Sequence, residues 1–348
     1  MTPQHIILNE LVDFEHDQVF DQATNYTGVF SFVKGALGAA HKFKYRCGLT
    51  DSGSLIAQDK LTPDSWIFKG PQSASLIEKI RVGVKLEEIA NISEGIVTGL
   101  NDLYLRKTDS IKHDKYESEY FVPSFRGREI SKWYLEKPSE SVFYPYILDD
   151  GHTVSVAETV FKDKSPNFYK YLHGNLSKIN AREYFKKSTK RWYELWNQRK
   201  LQNFLPEKIL TPELSDRNRF SLAPKHSFYG DTVCGIVLHE DKAKEINLKY
   251  LLAILNSRLM EWFYKSTTVP KAGGFFIYKV MFLKDLPIKI LSLSEQRPFV
   301  SLVEKILSEK NERPTADVST LEREIDQHVY KLYNLTPEEI KIIDGARK

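Results

Sequence analysis

The amino-acid sequence predicts an α+β fold with an all-helical C-terminal part and a short α/β segment at its start. Three observations carry that prediction. Strand-like runs rich in β-branched and aromatic residues alternate irregularly with helix-like runs through most of the chain. The last fifty residues switch to sustained helical spacing. An apolar fraction of 41% in 348 residues, 12% of them aromatic, supplies the core that a disordered chain lacks. The expected division is 1–45, 46–293 and 294–348.

Taken in order, Ile6 to Phe14 and Gly28 to Val33 (GVFSFV) read as strands. The GALGAA run from Gly35 to Ala40 lacks the spacing of a dinucleotide fingerprint and reads as a turn or linker. Residues 48–65 are turn-rich and mark a boundary. Ala74 to Val84 has helical spacing at Leu76, Ile77, Ile80 and Val84. Gly95, Gly99 and Asn101 punctuate a turn leading into a strand, and Val142 to Leu148 is a further apolar run. Pro166 to Lys200 reads as mostly helical. Lys249 to Tyr264 reads as one amphipathic helix, apolar at Leu251, Leu252, Leu255, Leu259 and Phe263. Ser294 to Ser308 and the series Leu321, Ile325, Val329, Leu332 predict two more helices. Thr336-Pro337-Glu338-Glu339 opens the last one, with a capping hydroxyl, a proline at the first helical position and a glutamate placed to reach back.

Composition excludes several classes. The two cysteines, Cys47 and Cys234, are too few and too far apart for a disulfide scaffold or a four-cysteine zinc site. The longest apolar run, Tyr250 to Leu255, is far short of a bilayer span, and the N-terminus has no signal-peptide pattern. No membrane partner is expected, and the chain reads as cytoplasmic. No Pro-Pro dipeptide exists to build the tetrad of DNA amino-methyltransferases, and neither a glycine-rich adenosylmethionine loop nor a phosphate loop is found. The nine histidines lack metal-ligand spacing. Asp231 with Glu240-Asp241-Lys242 offers a chance nuclease-like match. Cys234 near His239 fits a buried strand and a surface one equally well. No catalytic, cofactor-binding or metal residue is therefore assigned.

Charge is unevenly placed. The net charge is +4, yet residues 161–220 hold 14 Lys/Arg against 6 Asp/Glu, a net of +8, which leaves the other 288 residues at −4. Such a segment suits a polyanion-facing surface and equally a solvated helix face. Its densest part is KINAREYFKKSTKRWYELWNQRK. Lys178, Arg182, Lys186, Lys187, Lys190, Arg191, Arg199 and Lys200 are interleaved there with Tyr184, Phe185, Trp192, Tyr193 and Trp196. Placed on a helix, Phe185, Trp192 and Trp196 share a face, and the tryptophans read as core anchors. The cations read as phosphate contacts, which bind by releasing condensed counterions. Arg126, Arg128 and Lys132 in SFRGREISKWYL, and Lys271 with Gly273 and Gly274 before Phe275, complete a candidate DNA-facing set. Each of these two pieces equally suits a surface turn.

The order of the pieces carries a resemblance. PDSWIF (63–68), LEEIANISEGIVTGLNDLYL (86–105) and VPSFRGREISKWYL (122–135) come first. WYELWNQR (192–199), PEKILTPELS (206–215), YLLAILNSRLMEWFY (250–264) and GGFFIYKVMFLKDLPI (273–288) follow. The series resembles the TaqI-like C-terminal specificity domain of restriction–modification enzymes and adenine-N6 DNA methyltransferases. EIDQHVYKLYNLTPEEI (324–340) resembles the helical end of those proteins. The stretch 12–35 resembles the closing strands of their methyltransferase domain.

The resemblance implies a target-recognition part that docks on double-stranded DNA. A methyltransferase catalytic domain, in the same polypeptide or a separate subunit, would then flip and methylate adenine with S-adenosylmethionine. Tetrad and cofactor loop would lie outside this chain, which is expected to be non-catalytic and a fragment of a longer protein. Two other readings stay open: a metal-dependent nuclease using acids such as Asp231 and Glu240, and a protein-interaction subunit of a methyltransferase complex.

Overall fold

The computed structural model describes residues 6–14, 19–20, 27–35, 38, 40–61, 71–268 and 270–345. The PDSWIF segment and part of the GALGAA run lie outside them. By its contacts the chain divides into two units. One comprises residues 1–82, 258–277 and 334–348, the other 83–257 and 278–333.

In the first unit, β1 (Ile6–Asp13), β2 (Gly28–Lys34), β3 (Lys42–Cys47) and β4 (Ser54–Ala57) form a sheet in the order β2-β1-β3-β4. β1 runs antiparallel to β2 and parallel to β3. The alternation in KFKYRC turns Phe43 and Tyr45 inward against Leu8 and Leu11 while the lysines face water. Gln58, nearly buried, holds the start of β1 by accepting from the Leu8 amide at 2.9 Å and donating to the Ile6 carbonyl at 2.6 Å. Helices Pro71–Ile80, Arg258–Thr267 and Pro337–Gly345 complete the unit, with ion pairs Lys79–Glu339 at 2.6 Å and Arg258–Asp344 at 2.9 Å. The last helix opens as its sequence predicts, since Thr336 and Glu339 exchange side chain-to-backbone bonds.

The second unit is α+β. One sheet has the strand order Phe228–Tyr229, Phe121–Phe125, Glu140–Phe143, Leu105–Lys107. The other has the order Ser221–Ala223, Lys208–Pro212, Val233–Leu238 and β6 (Ala90–Glu94), following the short β5 (Val84–Lys85), which pairs with Pro287–Ile288. The aromatic content is largely spent here. Tyr104, Phe143, Phe161, Phe168 and Tyr193 are fully buried, with Phe143 4.7 Å from Phe168 and 4.9 Å from Phe161 between ring centres. Helices Leu293–Glu312 and Ser319–Leu332 bury Phe299, Val303, Ile306, Ile325 and Val329, while Leu321 and Leu332, the ends of the predicted series, are half-buried.

Three sequence expectations are corrected. Residues 166–200 are helical only as Pro166–His173, Leu176–Asn180 and Glu183–Lys186, and 187–200 is irregular. The reason is legible in WYELW: Tyr193 and Leu195 are buried and their neighbours are not, the period of an extended chain. Phe185, Trp192 and Trp196 therefore share no helix face. Residues 249–264 form two helices, Leu248–Asn256 and Arg258–Thr267. The break follows because the buried Asn256 amide is captured by the backbone of Phe220, accepting from its N–H at 3.1 Å and donating to its carbonyl at 2.9 Å. The helical spacing expected from Ala74 to Val84 ends at Ile80, because Val84 pairs with Ile288 as part of β5.

Candidate nucleic-acid interface

The cations of the second unit proposed for DNA contact fall into three groups. Arg182 is an internal group, 5% exposed. Its Nε donates to the Ile179 carbonyl at 2.8 Å and its Nη2 to the Trp192 carbonyl at 3.1 Å. The guanidinium also lies 3.5 Å from the centre of the Phe185 ring. It ties the short helices to the extended WYELW segment.

A second group is held by neighbours. Arg126 pairs with Asp231 at 2.9 Å and crosses Gly230, where an added Cβ would stand 2.5 Å from its Nη1. Lys132 pairs with Glu322 at 2.7 Å, and Glu322 also accepts from Trp133 Nε1 at 2.6 Å. Arg128 reaches Glu140 at 3.2 Å, although its side chain stays largely exposed. Lys186 pairs with Glu183 at 2.5 Å. Arg191 donates to the Val156 carbonyl at 2.8 Å and to the Tyr193 hydroxyl at 3.0 Å. Lys190 donates to Gln198 at 3.0 Å, and burial pulls its pKa down. Arg199 is held in the left-handed region, φ 61°, and bonds the Gly95 carbonyl and Glu94, each at 2.9 Å.

Lys178, Lys187 and Lys200 form the third group. They are exposed and without an ion-pair partner among the described residues, the condition in which a lysine can reach a phosphate. In the first unit, Lys271 is exposed beside Gly273 and Gly274, both at positive φ (79° and 76°), in a hairpin that pairs Lys271 with Phe275.

A groove that sequence reasoning missed lies beside Arg199 and Lys200. It has a cavity volume of about 1020 Å³. Part of its lining is β6, which among the described residues is an edge strand beside Val233–Leu238. Residues 197–200, 202 and 203, with His152 and Thr153, also line it. Its lining is rich in carboxamides, including Asn91, Gln198, Gln202 and Asn203. Asn and Gln side chains, with one donor and one acceptor side by side, are the groups that read adenine edges in the major groove. β6 reaches this position through a close approach at its end: a Cβ on Gly95 would stand 2.1 Å from the Gly230 carbonyl.

The acids weighed for metal chemistry are placed otherwise. Asp231 faces Arg126, and Lys242 pairs with Glu245 at 3.2 Å and Asp241 at 3.6 Å. Among the described residues, no group of three or more His, Cys, Asp or Glu side chains could hold a metal ion. Cys234 is a buried residue of the strand Val233–Leu238, and burial pushes its thiol pKa up to about 12. No described helix is long and apolar enough to cross a membrane.

Residues 122–288 match the model of the TaqI-like C-terminal specificity domain. The chain is 26% identical over 257 residues to the type II methyltransferase M.MjaIV of Methanocaldococcus jannaschii, a match covering 72% of this chain and 81% of that protein. It is 21% identical to the type II methyltransferase M.XhoI of Xanthomonas vasicola, covering 71% of the chain and 42% of that protein. With the Escherichia coli type II restriction enzyme and methyltransferase RM.Eco57I the identity is 22%, over 74% of the chain and 29% of that protein. The last two matches thus take in less than half of those relatives. In structure, the chain resembles the Type IIL restriction–modification enzyme MmeI, solved in complex with DNA. The TM-score is 0.58 at 12% identity, over 98% of this chain and 45% of that one. That likeness is one of fold.

Proposed function

We propose, with residues 122–288 as a TaqI-like C-terminal specificity domain, that this chain docks on duplex DNA and selects the sequence at which a methyltransferase domain acts. The observation that carries the reading is a specificity domain whose net +8 segment, 161–220, keeps Lys178, Lys187 and Lys200 exposed and unpaired, Lys200 on the lining of a groove rich in carboxamides. The lysines supply sequence-independent grip, and the groove presents groups suited to base edges. Adenine as the methylated base and S-adenosylmethionine as methyl donor follow from the family resemblance. The residues here bind and orient, and the methyl transfer belongs to the partner domain.

The partner's place is supported by β2, whose seven residues are all exposed. Such an apolar edge strand suits docking against further protein.

The test is duplex binding by the full chain as a function of salt. Reversing Lys178, Lys187 and Lys200 to glutamate should weaken binding to all sequences alike. It should also shrink the slope of log affinity against log salt by about 0.9 for each lysine that contacts a phosphate. Unchanged affinity and slope in the triple variant, or no salt-sensitive binding by the wild type, overturns the reading.

A further inference from the structure

We propose that the groove beside Arg199 is where the chain reads base edges, and that Asn91 is its adenine-reading side chain. The inference rests on the DNA-recognition function above and adds to it a site and a residue. A carboxamide selects adenine by accepting from N6 and donating to N7 at the major-groove edge. To do this it must be accessible, held in one orientation, and still own an unused donor and acceptor.

Asn91 meets all three conditions. It is exposed on β6, on the groove wall. One Nδ2 hydrogen is given to Oδ1 of Asn203 at 2.9 Å, and Asn203 is itself only 8% exposed, so the plane of the Asn91 amide is set from inside the protein. Its Oδ1 and second Nδ2 hydrogen have no partner among the described residues. An amide oriented at one corner and open along the other edge presents the donor–acceptor pair that adenine matches.

The other carboxamides of the groove are more committed. Gln202 donates to the Gly151 carbonyl and accepts from the Thr153 hydroxyl at 3.5 Å. Oε1 of Gln198 is taken by Lys190 at 3.0 Å, and Oδ1 of Asn197 accepts from the Arg199 amide at 3.3 Å. The electrostatics suit a duplex. Glu94, the acid on this wall, is neutralised by Arg199, while Lys200 stands exposed on the lining for a flanking phosphate.

The experiment measures the preference of the full chain over a randomised duplex library, for the wild type, Asn91→Ala and Asn91→Asp. The wild type should prefer adenine at one position. Asn91→Ala should lose that preference about ten- to a hundred-fold there and keep it elsewhere. Asn91→Asp, which keeps the acceptor and removes the donor, should move the preference at the same position toward cytosine, whose N4 amino group donates. Both variants remove the bond to Asn203 Oδ1 and should melt somewhat below the wild type, so binding is compared at a temperature where all three are folded. A wild-type profile at every position in Asn91→Ala overturns this inference and leaves DNA recognition standing. A wild type that binds no duplex overturns the recognition function, and the inference falls with it.

Discussion

Two strands of similar make-up meet opposite fates in this molecule. The strand Lys208–Pro212 lies inside its sheet, and all five of its residues are buried. β2, Gly28–Lys34, lies at the edge of its sheet, and all seven of its residues are exposed. Successive side chains point to opposite faces of a strand, so Phe30 and Phe32 cover one face of β2, and Val29 and Val33 the other. Each of these four is at least 50% exposed. Apolar residues on both faces mark a strand built for the interior of a covered sheet, whereas a solvated edge calls for alternation or charge. The interior strand carries the reverse anomaly: it begins with a lysine, Lys208, that is fully buried. The difference teaches that composition sets what a strand needs, and that the neighbours actually present decide whether the need is met.

The largest break in this comparison should come from Ile209→Ala in the interior strand. Ile209 is fully buried between two paired strands, so truncation leaves a cavity and should cost about 2–5 kcal/mol in denaturant unfolding. A loss below about 1 kcal/mol would mean that the strand is not the centre of its unit.

Lys208 sharpens the contrast through pH. Its ammonium donates to the Phe204 carbonyl at 2.9 Å, and burial pulls its pKa from 10.5 down to about 8, with Glu207 opposing weakly. Between these values the unfolded chain holds the proton and the folded chain does not. Stability should therefore rise from pH 8 toward 10.5, by about 3 kcal/mol at most. Above pH 10 the buried Tyr144 and Tyr229, whose pKa values burial pushes up, act in the opposite sense. The clean window is pH 8 to 10. Lys208→Met should flatten the slope there, and a slope that survives the substitution would assign it to other groups.

What the sequence disclosed follows the range of the interactions involved. The C-terminal helices and the Thr336–Glu339 cap are local patterns, and they form where the spacing placed them. The α+β class and the strands Ile6–Asp13 and Gly28–Lys34 were legible for the same reason. The basic segment was misread because its polarity hid a period of two. Leu195 is fixed by a hydrogen bond from its backbone N–H to the Tyr146 hydroxyl oxygen, forty-nine residues away, which no local window contains. The groove was invisible on the same grounds: Asn91 and Asn203 are separated by 112 residues, and the passing of Gly95 over Gly230 joins two further remote segments. Arg182 shows the limit of counting charge, since a cation in a basic run was spent on carbonyls inside the fold.

The smallest effect on the chain itself belongs to β2, and it is the one that bears on the partner. Phe30→Lys with Phe32→Lys places two charges on one exposed face while leaving the β1–β2 pairing of Leu11 with Phe30 and Leu8 with Phe32 in the backbone. Because both rings are already exposed to water in this chain, unfolding should change by no more than about 0.5 kcal/mol for each substitution. Association with a methyltransferase domain supplied as a separate chain should be lost, because the apolar area that such a domain would cover now carries lysines whose burial is costly. Equal capture of the partner by wild type and double variant would show that β2 is left uncovered. A strongly destabilised double variant would show that β2 already meets its needs within the chain, and the contrast with Lys208–Pro212 would then disappear.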